Sequence, residues 1–153
     1  MTTKADTYLL ENNVNPSYQR VKIMEYLLRK KNHPNIDMIF NNLKKEMPKL
    51  SKTTIYNTLK LFIKRNLVSP LTIEDNMLRY DADTKIHGHF KCINCGIITD
   101  INLDLKNMNR DELPGYTIFE HHVNFKGRCN KKSCNKKSFN KNKNGNTNWE
   151  KSA

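Results

Sequence analysis

With 153 residues and 37% apolar content, the chain can bury one ordinary core or two small ones, and units this small are marginal without a metal or a partner. No apolar run approaches the roughly 18 to 20 residues that span a bilayer, and the opening Met1-Thr2-Thr3-Lys4-Ala5-Asp6 has no signal-peptide core, which argues for a cytoplasmic protein with no membrane partner. The net charge of +12 divides into +6 over residues 1–85, +2 over 86–134 and +4 over 135–153, a distribution that suits DNA as a partner and equally an ordinary Lys-rich surface.

In chain order, Asn15-Pro16-Ser17 marks a helix start, after which Val21, Met24, Leu27 and Leu28 recur at helical spacing until His33-Pro34 breaks the pattern. Asn35 can cap a second helix that buries Ile36, Ile39, Phe40 and Leu43 and ends at Met47-Pro48. Ser51 can cap a third, with Ile55, Leu59, Phe62 and Ile63 inward and Thr53, Tyr56, Asn57, Lys60 and Lys64 outward. Residues 67–73, a polar turn at Glu74-Asp75-Asn76, and Met77 to Tyr80 form a predicted hairpin. Three helices followed by such a wing suggest a winged helix-turn-helix. That placement makes the outer face of the third helix a DNA-reading surface: lysines and hydroxyls suit phosphates, Asn57 an adenine edge, and Tyr56 or Thr53 a thymine methyl.

A hinge at residues 81–86 leads to a second unit, with strands around the first cysteine pair and over 97–103, a helix near 105–113, and a strand from Tyr116 to Phe125. The fold class expected is α+β, a winged-helix domain over 1–82 and a small α/β domain over 83–134. The Lys- and Asn-rich residues 135–153 are too poor in apolar side chains to fold alone and are expected to be a disordered tail.

All four cysteines fall in two pairs, Cys92-x-x-Cys95 and Cys129-x4-Cys134, and Gly96 lets the backbone close beneath the first. In a reducing compartment two such pairs favour a tetrathiolate Zn²⁺ site that holds the fold, with a redox disulfide as the rival reading. His87-x-His89 places two imidazoles on one face of a strand, where both can reach one ion. His33, Asp81 and Asp100 can complete a nitrogen and oxygen set. Each also has a plain reading: a helix-end cap for His33, a solvent-facing strand end for Asp81, a turn for Asp100. Spacing alone does not bring them together. His121 and His122, neighbours on the late strand, point to opposite sides, so at most one joins a shared site and neither is assigned a role.

The stretches Gln19-Arg20, His33-Pro34, Ser51-x-x-Thr54-Ile55-Tyr56-Asn57-Thr58-Leu59, Leu67-Val68, Tyr80-Asp81 and His87-Gly88-His89-Phe90-x-Cys92-x-x-Cys95-Gly96 together resemble the Fur superfamily of bacterial metal-dependent repressors, over nearly all of residues 8–134. Within it the sequence is most similar to the peroxide-sensing PerR branch. The resemblance implies a homodimer built on the second domain, and a regulatory Fe²⁺ or Mn²⁺ held by His33, Asp81, His87, His89 and Asp100. Both carboxylates are Asp, as in that branch, where ferric-uptake members typically carry Glu. It also implies iron-catalysed oxidation of His33 or His87 by H₂O₂. The implied operator is an A/T-rich inverted repeat of double-stranded DNA, with Thr53, Tyr56 and Asn57 nearest bases and Arg20, Lys52 and Lys60 nearer phosphates. One departure is the Cys-x4-Cys pair, where Cys-x-x-Cys is usual. The expected function is therefore a peroxide-sensing repressor and not an enzyme. The alternatives are an iron-responsive or other metal-uptake repressor, a metallo-hydrolase using the His/Asp set to activate water, and a zinc-stabilised interaction module.

Overall fold

A computed structural model describes residues 3–74, 76–103, 114–117, 122–130 and 134. Four helices come first: α1 (Lys4–Glu11), α2 (Tyr18–Lys30), α3 (Ile36–Leu43) and α4 (Lys52–Lys64). Each begins at a side-chain cap, from Thr3, Ser17, Asn35 and Ser51, whose oxygen accepts a first-turn backbone N–H that has no helical partner. The helices pack around one core in which Leu9, Ile23, Met24, Ile39, Ile55, Leu59 and Phe62 are fully shielded from solvent. No helix among the described residues is long and apolar enough to cross a membrane.

α1 is a correction to the three-helix expectation. Its capping box joins Thr3 and Asp6 reciprocally, and only Ala5 and Leu9 point inward, too few apolar positions in eight residues to announce a helix by periodicity. On α4, Ile63 is half-buried and Thr58 takes a buried place among the apolar side chains.

The hairpin follows as β1 (Ser69–Glu74) and β2 (Met77–Asp81), antiparallel, with Ser69 opposite Asp81 and Leu71 opposite Arg79. A three-stranded sheet completes the described fold: β3 (Gly88–Cys92) lies in the centre, antiparallel to β4 (Ile98–Ile101) on one side and parallel to β5 (Asn124–Gly127) on the other. Leu71 and Ile73 of β1 pack on Ile98 of β4, so the hairpin leans on the sheet. The expected strand from Tyr116 to Phe125 is shifted: Tyr116 and Thr117 have no regular structure, and the strand starts at Asn124. The helix expected near 105–113, the tail over 135–153 and His121 lie outside the described residues.

Candidate metal centres and DNA-facing surface

The parallel register of β3 and β5 sets Cys92 opposite Gly127, and two residues further on the Cys129 backbone N–H donates to Cys92 Sγ at 3.3 Å. Beyond β3 the chain turns back at once. Gly96, at φ 72°, donates its N–H to the Cys92 carbonyl at 2.8 Å and so brings Cys95 round to the same point. Cys92 and Cys134 end with their sulfurs 3.7 Å apart, as do Cys95 and Cys129, and all four fit within 4.8 Å of one another. Sulfurs about 2.3 Å from a central zinc lie about 3.8 Å apart along each edge of the tetrahedron. The spacing fits Zn²⁺ and is far too long for disulfides, and all four thiols are free. The longer loop of Cys129-x4-Cys134 does not keep its sulfurs from the quartet.

The acidities point the same way. N–H groups of Cys95 and then Cys129 draw the Cys92 thiol down to about 6, whereas Cys134, whose thiol bonds with Cys129, is pushed up to about 12. Four sulfurs this close cannot all ionise without a cation among them.

The second cluster assembles around β3 from the other direction. His89 faces Asp100 directly across the β3–β4 ladder, and directly opposed residues put their side chains on the same face. His87, just ahead of β3, shares that face by strand alternation. Asp81 closes β2, and His33 sits in the loop between α2 and α3, where its φ of 46° is a left-handed conformation rarely adopted outside glycine. The Tyr80 N–H donates to the Pro34 carbonyl at 3.0 Å and runs β2 alongside this loop, so His33 and Asp81 arrive together.

His33 Nε2 lies 2.8 Å from Asp100 Oδ1, His87 Nε2 lies 2.9 Å from both Asp81 Oδ2 and His89 Nε2, and His89 Nε2 lies 3.3 Å from Asp81 Oδ2. His33 to Asp81 is 3.5 Å, and the longest His–Asp separation is 3.9 Å. Donors bonded at about 2.1 Å to one ion stand about 3 Å from their neighbours around it and about 4.2 Å from a donor opposite. The separations fall in that interval.

The orientations are equally specific. Both ring nitrogens of the 3%-exposed His33 lack a hydrogen bond, although Nε2 is close to two carboxylates, so the ring addresses the centre of the cluster and not one neighbour. His87 Nδ1 meets the Lys85 carbonyl at 2.7 Å, which places the proton on Nδ1 and leaves the Nε2 lone pair facing inward. Burial opposes charge on Asp81, yet His33 and the Asp83 N–H outweigh it and hold the carboxyl at about 2. Burial lowers the His33 pKa in the same way, and Asp81 and then Asp100 raise it above the ordinary imidazole value. For His89 burial prevails and the pKa falls. Three imidazoles and two carboxylates around one point suit Fe²⁺, Mn²⁺ or Zn²⁺ on donor chemistry.

A cavity of about 290 Å³ adjoins Asp81, His87 and His89 and reaches His122, which lies just ahead of β5 and outside the five-donor cluster. Thr53, Tyr56, Asn57, Lys60 and Lys64 all lie exposed on α4. Two basic residues expected at phosphates have partners within the chain. Lys52 Nζ pairs with Asp37 at 2.6 Å, both well exposed, and Arg20 Nη1 donates to the Asn15 carbonyl at 2.7 Å. Sequence reasoning did not anticipate Lys85 and Asp83 as partners of the cluster, because both act through backbone atoms that carry no residue signature.

Comparison with known proteins agrees with this geometry. The model of the ferric uptake regulator family matches residues 11–126. The peroxide operon regulator of Bacillus subtilis (strain 168) is 35% identical over 128 residues, which cover 82% of this chain and 88% of that one. The peroxide-responsive repressor PerR of Staphylococcus epidermidis is 33% identical, covering 72% and 76%. Among solved structures, the peroxide stress regulator of Campylobacter jejuni superposes with a TM-score of 0.63 at 26% identity over 83% of this chain and 94% of that one. The ferric uptake regulator of Vibrio cholerae, at 19% identity, shares the fold with a TM-score of 0.67 over 81% and 98%.

Removing one sulfur should unmake the thiolate site. Cys92→Ser is expected to lower zinc content to below one ion per chain and to lose a cooperative melting transition, checked by metal analysis and calorimetry; a variant melting like the parent would assign the zinc no structural role. At the imidazole site protons compete with the ion. Because the carboxylates make His33 hold its proton more tightly than an ordinary imidazole, Mn²⁺ affinity should fall as pH is lowered towards and through the imidazole range, as titration calorimetry at several pH values would show.

Proposed function

The chain belongs to the ferric uptake regulator family of metal-dependent repressors, and we propose that within it this protein is a peroxide sensor, its response set by the cluster of His33, Asp81, His87, His89 and Asp100. The family consists of transcriptional regulators and not enzymes, so the metallo-hydrolase alternative falls. The observation that carries the reading is the provenance of the donors: His33 comes from the helices, Asp81 from the hairpin, His87 and His89 from β3 and its approach, and Asp100 from β4. An ion shared by them ties the helices and wing to the sheet, and metal affinity becomes a bias on where the DNA-reading helix points.

Fe²⁺ bound there would act as catalyst, giving an electron to H₂O₂ and regaining one from the ring, so that the imidazole C–H is the net reductant. Overall, one peroxide oxygen enters an imidazole C–H and the other leaves as water. The side chains decide which ring is attacked. Asp100 is the solvent-facing donor, and it lies 2.8 Å from His33 and 3.7 Å from His87, with His89 farthest at 3.9 Å. The cavity beside His87 is large enough to admit peroxide. An oxygen added to the buried His33 ring would change its donor geometry, so oxidation there would loosen the tie between the His33 loop and the sheet.

Zinc is proposed for the quartet of Cys92, Cys95, Cys129 and Cys134, and iron or manganese for the other site. The working form is proposed to be a homodimer, since two α4 helices are needed to read the two halves of an A/T-rich inverted repeat. The proposed units are a winged-helix domain over 1–82, a dimerisation domain over 83–134 and a separate tail, acting in the cytoplasm where such DNA is reached. Thr53, Tyr56 and Asn57 of α4 are proposed to face bases, with Lys52 and Lys60 of α4 and Arg20 of α2 on phosphates. The exposed Lys52–Asp37 pair contributes little to stability and can be exchanged for a phosphate contact.

Anaerobic loading with Fe²⁺ followed by brief H₂O₂ should add one oxygen to His33 or His87 and abolish operator binding, while Mn²⁺-loaded protein stays unmodified, as peptide mass spectrometry and a mobility shift would show. Binding that tracks metal with neither histidine modified would make the protein a metal-supply repressor instead. Lys60→Ala should weaken binding to all duplexes and reduce the salt slope by about one, whereas Asn57→Ala should relax sequence preference at a cost of about 1–3 kcal/mol, both read from binding titrations on operator and random DNA.

A further inference from the structure

His87, His89 and Lys91 alternate onto one face of β3 and its approach, the face turned toward the hairpin and helices. The two histidines end in the His/Asp cluster. Lys91, one step further along the strand, instead places Nζ 2.6 Å from Glu74 Oε1, at the end of β1. Glu74 is already held by β2: Arg79 Nε donates to Oε2 at 3.0 Å and Nη2 to Oε1 at 3.1 Å, a two-pronged contact. The third arm of the guanidinium, Nη1, reaches the backbone carbonyl of His33 at 3.4 Å and the Met38 sulfur at 3.0 Å. None of the three charged side chains is more than 19% exposed, so this is not a surface ion pair of the weakly held kind. Leu71 and Ile73 packed on Ile98 hold the hairpin to the sheet close by.

These contacts join β3, the hairpin and the His33 loop, the three segments that the His/Asp cluster also joins, without using any metal ligand's side chain. The His33 loop needs such support. Lys31 and His33 both have positive φ, at 43° and 46°, conformations that are unfavourable for non-glycine residues and persist only when neighbours hold them.

We propose that Lys91, Glu74 and Arg79 form a metal-independent clasp that presets the His33 loop against β3, so that the regulatory site is largely assembled before an ion arrives. The three are positioning residues, because none touches the ion. The apparent affinity of a site scales with the fraction of molecules already in the competent arrangement, so the clasp raises that fraction and tunes how little metal suffices for repression. This rests on the reading of the His/Asp cluster as a regulatory metal site.

The test uses the full zinc-loaded chain and two substitutions, Lys91→Met, which keeps the length of the stem and removes the charge, and Lys91→Arg, which keeps the charge. Lys91→Met is expected to weaken Mn²⁺ binding roughly threefold to tenfold, with Lys91→Arg close to the parent. In metal-free protein, amide hydrogen exchange across residues 31–33 should speed up in Lys91→Met and not in Lys91→Arg. Unchanged exchange and affinity in Lys91→Met would overturn the clasp, as would equal losses in both variants, which would assign Lys91 a packing role. If the parent itself bound no Mn²⁺, the regulatory reading would fail, and the metal-free exchange rates would still decide for or against the clasp.

Discussion

Both donor clusters depend on the pairing register of β3. Against β4 it opposes His89 to Asp100, and against β5 it opposes Cys92 to Gly127, which delivers Cys129 to the first cysteine pair. A slip of one residue against β4 would turn Asp100 away from His89, and one against β5 would carry Cys129 away from Cys92. Little space exists for such a slip. A Cβ at Gly127 would stand 3.0 Å from the Phe90 ring, and one at Gly88 would stand 3.2 Å from the Val123 carbonyl, so both glycines are needed where strands and side chains approach closely.

The two clusters differ in what they connect, and their chemistry follows from that. The sulfur quartet joins one end of β3 to the segment after β5, within the sheet, and thiolates bind zinc without redox change. Such a site holds structure. The His/Asp cluster joins the sheet to the helices and hairpin, and its mixed donors accept a metal with redox chemistry. The buried Nε2 atoms of His33, His87 and His89 crowd together beside two carboxylates, an arrangement that a shared cation would stabilise where the units meet.

Much of this was legible in the sequence. Three of the four caps, the hairpin, the outward face of α4, the four cysteines and the His87-x-His89 pair could be named from periodicity, turn chemistry and residue type, while the joining of His33, Asp81 and Asp100 to that pair came from the family resemblance. What was not legible has a common cause. The meeting of His33 with Asp100, 67 positions apart, is made by strand register and by β2 running beside the His33 loop, and neither leaves a mark in local spacing. The same holds for Lys91 with Glu74, read in the sequence only as a turn residue. α1 escaped because eight residues with two inward positions carry no period, and the Thr3–Asp6 box was the single local clue.

On the proposed function one ion is held jointly by the His33 loop, the hairpin and the sheet. A crystal structure of the zinc-loaded protein with Mn²⁺, with anomalous scattering recorded at the manganese edge, tests it most directly. One manganese peak bonded to His33, Asp81, His87, His89 and Asp100 is expected, distinct from zinc among the four sulfurs. Manganese bound by His87 and His89 alone, with His33 turned away, would contradict it.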